Sequence, residues 1–356
     1  MKKKVKANVR AKGRKKPVGK ARLVARIVSV ALILAVIACC AVGDWYVHQP
    51  REWQEAHRAF YTAPLVYFGD RTAFVTDACG WTGHDAVYDF DEPAPTNEVF
   101  FAGAPERTGD PAPKDIVVLQ RGEFAIGWSP SLRHPVWAAY HVVKDARFDA
   151  LKRPNFQKDR SVATSPAPDD YARSGYDRGH LVPNRAIVTR YGPDEQAKTF
   201  LMTNIAPQRP ALNRGPWREM EQRISDLWTA RYGEIWVIVG TVSPPAERKT
   251  LEGAPIDVPA QYYMLIVAQE DNEERQGEEE PWKVRVLAVM LPQTAEVNDF
   301  PVHGIVTVNE LEAATGLRFF PDMPKFLARP LKADRPTRLW PIRLRDIFKL
   351  ILLRFT

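Results

Sequence analysis

The first apolar run in the chain, Ile27–Gly43, holds no charge, and with Leu23–Ala25 and the lone Arg26 it spans residues 23–43. That approaches the roughly 20 residues that carry a helix across a bilayer. Residues 44–63 mix aromatic and charged positions and predict a partly helical juxtamembrane segment. Residues 91–115, rich in Pro, Gly, Asp and Glu, predict an irregular loop. Strand-like runs follow at Ile116–Leu119, Phe124–Trp128 and Val136–Val143, with Gln120–Glu123 as a hairpin between the first two. Residues 149–176 read mostly as loop, and Thr199–Met202 as a short apolar run before a turn. From Pro216 to Ala230 the period changes: Trp217, Met220, Ile224, Leu227 and Trp228 share one helical face. Three further strands are predicted at Ile235–Val239, Tyr262–Val267 and Val284–Leu291, and a short helix at Val308–Thr315 ahead of Gly316. In Ile342–Phe355 apolar residues at helical spacing interleave with Arg343, Lys349 and Arg354, which suits either an anionic membrane surface or the protein's own body. No internal repeat is visible. The class is α+β with a mostly antiparallel sheet.

Charge divides the chain in the same places. The net formal charge is +7, but residues 1–26 carry +12, residues 325–356 carry +7, and residues 27–324 carry −12. Half of that deficit comes from the acidic loop 270–280. The basic average therefore does not make the body a nucleic-acid binder. Basic residues before the apolar run and Asp44 after it predict a cytoplasmic amino terminus. The expected organisation is a basic tail at 1–22, a transmembrane signal anchor at 23–43, a juxtamembrane and loop region at 44–114, a body at 115–325 and a basic amphipathic tail at 326–356. The body then lies outside the cytoplasm, on the periplasmic side of a bacterial inner membrane or, alternatively, at the mitochondrial inner membrane. A cleaved signal peptide, lipidation at Cys39 and a mitochondrial presequence are alternatives for the same segment. Cys39, Cys40 and Cys79 are the only cysteines, so neither a disulfide framework nor a four-cysteine zinc site is available.

Chemistry concentrates between Tyr176 and Glu221. This stretch holds Asp177-Arg178-Gly179-His180, then Asn204-Ile205-Ala206-Pro207-Gln208, then Leu212-Asn213-Arg214-Gly215-Pro216-Trp217. A histidine can take a proton from water near neutral pH. Asn213 offers a neutral amide oxygen suited to Mg²⁺, which keeps most of its waters. Glu221, eight residues on, can share the helical face of Asn213 and hold those waters. Arg178 supplies a fork for phosphate. These are the parts of a metal-assisted phosphodiester hydrolase.

In order and spacing, the DRGH, NIAPQ and LNxGxW segments with Glu221 resemble the sugar-non-specific DNA/RNA endonucleases, the endonuclease G-like group. The resemblance covers roughly residues 115–325. It implies a ββα-metal (His-Me finger) nuclease fold, with helices flanking the antiparallel sheet. It further implies His180 as general base, Asn213 as the sole direct protein ligand of Mg²⁺ (or of Mn²⁺ in its place), and Glu221 as the carboxylate ordering the metal's waters. Asn204 supports that geometry, Arg178 contacts phosphate or braces the site, and Arg153 stabilises the transition state. Asp177 is expected to position the loop and Arg178. The implied reaction is sequence-non-specific hydrolysis of DNA and RNA to 5′-phosphate ends, by a protein that could form a homodimer. Two rivals stand beside it: a membrane-tethered nucleic-acid-binding protein on a decayed nuclease fold, and a hydrolase of small phosphodiesters.

Overall fold

The computed structural model describes residues 84–342, apart from 91–93, 150–151, 245, 247 and 270–281. The anchor expected at 23–43, most of the juxtamembrane region, the acidic loop and the tail beyond 342 lie outside the described residues. Among those described, no helix is long and apolar enough to cross a membrane.

The centre is one antiparallel sheet. Its strands are β1 (Ala86–Phe90), β3 (Val117–Gln120), β4 (Phe124–Ser129), β5 (His134–Val142), β8 (Ile235–Val242), β9 (Gln261–Gln269) and β10 (Trp282–Pro292), with β2 (Glu106–Arg107) set apart from it. The order across the sheet is β1-β10-β9-β8-β5-β4-β3, and β11 (Ile305–Val306) adds to β10. Both faces are covered, so the strands read as nearly continuous apolar runs. The period of two still sorts their side chains. On β9, Tyr262, Met264 and Ile266 face one core, while Tyr263, Leu265 and Val267 face the other.

The first core is closed by α3, a helical run from Pro210 to Tyr232. Alpha turns at Pro210–Leu212, Arg218–Gln222 and Thr229–Tyr232 are joined by π turns at Asn213–Trp217 and Arg223–Trp228. The expected face is the buried one: Trp217, Met220, Ile224, Leu227 and Trp228 all enter this core. The second core is closed by α4 (Val308–Thr315) and α5 (Lys325–Ala333), with the small pair of β2 and β12 (Leu317–Arg318) beside them. Thr307 caps α4: its hydroxyl accepts from Glu310 N while the Glu310 carboxylate returns the bond to Thr307 N. Gly316 ends the helix at φ +67°, in the left-handed region.

The structure departs from the expected boundaries in two places. Ala86–Phe90 was expected in a loop region, yet it pairs along its whole length with β10 as an edge strand. Leu339, Trp340 and Ile342 were expected in a tail, yet they are buried in the core beneath α3. Two helices were not expected at all: α1 (Asn184–Tyr191) and α2 (Pro193–Thr199). The β-branched run Ile187, Val188, Thr189 hides the helical period of α1. In α2 the start is written in local chemistry instead, with Pro193 at the first position and Asp194 and Glu195 in the first turn.

Candidate active site

Two short strands, β6 (Asp177–His180) and β7 (Ile205–Gln208), pair antiparallel, and α3 follows β7 after Arg209. This is the ββα unit expected from the sequence. Gly179 has a steric reason: a Cβ there would lie 2.4 Å from Gln208 Oε1 and 2.6 Å from Gln208 Cβ. Gly215 has another, since its Cβ would stand 2.7 Å from the backbone of Val297. With φ −103° and ψ −115°, Gly215 also breaks regular helix geometry, and Pro216 has no N–H to repair it. The helical run is thus broken at Gly215, with Asn213 in the turn ahead of the break and the main helix after it.

The unit opens on a cavity of about 1040 Å³ whose wall includes Arg153, Arg178, His180, Asn213 and Glu221. Five of the six residues singled out from the sequence therefore meet in one place. The sixth, Asn204, does not line it. Asn204 is fully buried behind β6: its Nδ2 donates to Val182 O and Thr199 O (2.9 Å each), and its Oδ1 accepts from Val182 N at 2.9 Å. It ties β7 to the segment after His180 and braces the hairpin from outside the cavity.

His180 is 8% exposed, wedged between Phe156 and Phe200 at ring-centroid distances of 5.3 and 4.9 Å. Burial, assisted by the nearby Arg153 charge, pushes its pKa down to about 3, so the imidazole is neutral. Its Nε2 is buried with no hydrogen-bond partner among the described residues. Glu221 shows the opposite displacement. Burial pushes its pKa up to about 8, against the pull of the Arg153 and Arg218 charges. The Trp217 indole lies near this carboxyl and also lowers its pKa, but its N–H closes no hydrogen bond of normal geometry. Arg153 acts on both groups, which places its guanidinium near each of them.

Arg178 lines the cavity over the Phe156 ring, 5.4 Å from its centroid, while its Nε and Nη2 both donate to Pro168 O (3.1 and 2.7 Å). It pins the preceding loop to β6. From the sequence, Asp177 is expected to position the loop and Arg178, but its hydrogen bonds go elsewhere. It accepts instead from Asn213 Nδ2 (2.9 Å) and from Arg214 Nε and Nη2 (2.9 and 2.7 Å). Burial raises the Asp177 pKa, but the bonds from Arg214 and Asn213 outweigh it and hold the group below the usual carboxylate range.

Sequence reasoning missed two features of the cavity. Asn184 lines it and buries an unpartnered Oδ1; its position four residues after His180 was the available signal. Phe156 and Phe200, which dry the histidine, carry no sequence mark of that role.

The donors suit one class of metal. Among the described residues no three His, Cys, Asp or Glu side chains cluster as a ligand cage, which disfavours a closed zinc site. One amide oxygen and a half-buried carboxyl in the wall of one cavity fit a hard cation that retains water.

The comparisons point to one family. Residues 103–326 match the model of the DNA/RNA non-specific endonuclease family. The chain is 28% identical over 214 residues to the mitochondrial nuclease EXOG of Xenopus laevis, covering 56% of this chain and 57% of that protein. It is 29% identical over 210 residues to a nuclease of Nostoc sp., covering 58% and 73% respectively. The match thus spans little more than half the length of the frog protein. In structure the chain is similar to a protein of the EndoG/EndoGI complex, with a TM-score of 0.51 at 23% identity over 58% of this chain and 87% of that one. This last likeness concerns the fold. With the family model matching well over half of its length, the chain belongs to the DNA/RNA non-specific endonuclease family.

Proposed function

We propose that the protein is a Mg²⁺-dependent, sequence-non-specific endonuclease of DNA and RNA that leaves 5′-phosphate ends. The observation that carries the reading is a neutral, buried His180 beside Arg153, in the same cavity as Asn213 and Glu221. His180, with its free electron pair, takes the proton from a water aligned with the scissile bond. Arg153 opposes the charge that gathers on the phosphate. Arg178 holds the loop edge of the cavity in place through Pro168. Asn213 would hold the cation directly and Glu221 would hold its water shell. Bound there, the cation would supply Lewis-acid neutralisation of the phosphate and of the departing 3′ oxygen. Anchoring through residues 23–43, an extracytoplasmic body and pairing of two copies belong to this reading on the sequence and the resemblance alone. The intact set of polar groups favours turnover over a decayed, binding-only site, and the size of the cavity favours polymeric over small phosphodiesters.

The test is plasmid and RNA degradation by the full chain with Mg²⁺, with EDTA and with His180→Ala. Cleavage that needs the metal and falls roughly 10²–10⁴-fold in the variant is expected. A folded wild type that binds nucleic acid without cleaving it, across several divalent metals, overturns the reading.

A further inference from the structure

We propose that Asp177 and Arg214 form a clamp that decides which end of the Asn213 amide faces the cavity, and thereby sets the affinity of the cation site. The inference rests on the reading of Asn213 as the metal ligand.

An amide side chain has two nearly isosteric ends, and only its oxygen can ligate a hard cation. Left alone, Asn213 could present either one. Its partner removes the choice. The Asp177 carboxylate only accepts hydrogen bonds, so the amide must turn its NH₂ toward Asp177, at 2.9 Å between Nδ2 and Oδ2. The reverse orientation would set an amide oxygen against a carboxylate oxygen. Oδ1 is therefore directed away from Asp177.

The carboxylate is itself fixed. Arg214 grips both its oxygens, Nε to Oδ2 and Nη2 to Oδ1, the two-point geometry that a guanidinium makes and an ammonium does not. Arg214 follows Asn213 directly in the chain and lies in the same π turn. The clamp thus ties the turn that carries the ligand to β6, which carries His180. It registers the two halves of the site against each other. Both Asp177 and Arg214 are positioning residues, acting through Asn213.

Arg214 makes the idea testable by sign. It is a cation next to a cation site. By charge alone its loss should tighten metal binding; as part of a clamp its loss should weaken it. The measurement is Mn²⁺ binding to the full chain without nucleic acid, by electron paramagnetic resonance. Melting of each metal-free variant checks the fold. Arg214→Gln is expected to weaken Mn²⁺ binding roughly 3–10-fold and Asp177→Asn roughly 10–100-fold, the scale for partners that orient a ligand. Arg214→Lys keeps the charge without the two-point grip, so it should weaken binding too. Should Arg214→Gln fail to fold, Arg214→Lys carries the test alone. Tighter or unchanged binding in folded Arg214 variants, with Asn213→Ala still weakening it, overturns the clamp and leaves the ligand assignment standing. Unchanged binding in Asn213→Ala overturns the ligand assignment and the clamp together.

Discussion

Two carboxyls, the buried Asp159 and the half-buried Glu221 in the cavity wall, live under different rules. Asp159 accepts from Arg121 Nη2 (2.6 Å), Thr203 Oγ1 (2.8 Å), Ser161 Oγ (2.6 Å) and Ser161 N (3.0 Å). Burial raises its pKa, but these donors outweigh burial and keep it ionised. It fastens the segment that follows Arg153 to the β3–β4 hairpin and to the turn before β7. Glu221 has no such set of donors, and its pKa stands near 8. A carboxylate whose fold supplies every partner is a rivet. One left short of partners is a socket for something the chain does not contain.

The sharpest way to break this contrast is to neutralise each group in turn. Glu221→Gln should cut turnover roughly 10–100-fold, the range for removing an outer partner of a metal, with the fold intact. Circular dichroism and plasmid cleavage on one preparation check both halves. Asp159→Asn should do the reverse. Breaking a buried pair leaves Arg121 uncompensated at a cost of about 3 kcal/mol, or roughly 6–12 °C in Tm, while the folded fraction keeps its turnover within a few-fold. Equal effects of the two variants on rate, after correction for the unfolded fraction, would erase the distinction.

A smaller effect concerns pH. Glu221 has a folded pKa above its unfolded one, so the native state binds the extra proton between about 4.5 and 8 and stability falls as pH rises through that window. His180 has a folded pKa below its unfolded one, so its contribution is present above about 6.5 and is lost as pH falls toward 3. The two oppose each other below 6.5. Between pH 6.5 and 8 only Glu221 acts, and the metal-free protein should lose about 1–2 kcal/mol of stability there. Urea unfolding at both pH values checks it, and Glu221→Gln should flatten the difference. The smallest expectation is nearly an absence of change: since His180 stays neutral well below its ordinary pKa, kcat/KM should show no acidic limb near 6.5. An acidic limb at that value would mean that the histidine is wetter than its aromatic cage implies.

The parts of the molecule legible in the sequence were those whose cause is local or periodic. The buried face of α3 from Trp217 to Trp228 shows in its spacing, the strands of the sheet in their apolar runs, and the α4 helix in its capping box and closing glycine. Most of the site was legible because its groups, Arg153 excepted, lie in short segments of one ββα unit. What stayed hidden depends on contacts far along the chain. Nothing in Ala86–Phe90 announces β10 as its partner, and nothing around Trp340 announces Trp228. Asp177 was read as a brace for its neighbour Arg178, whereas its partners are 36 and 37 residues away. The motif implies a supporting role for Asn204, and only the structure shows the three buried hydrogen bonds through which it braces the hairpin.

The contact between α3 and the segment near Trp340 also bears on timing during synthesis. Trp228 Nε1 donates to Trp340 O (2.8 Å), Tyr232 Oη to Pro341 O (2.8 Å) and Arg231 to Ile342 O (2.8 Å), while the Trp340 ring packs on both Trp228 and Tyr232. The ribosome therefore finishes every residue of the cavity about a hundred residues before it supplies the piece that locks the helix beneath them. A growing chain passes through a long interval in which the hydrolytic groups exist but their scaffold is open. In a nascent chain stopped at Ala333, protease should cut α3 readily and no cleavage of nucleic acid should be detectable. The cavity would then take its final shape only once the segment around Trp340 has been made.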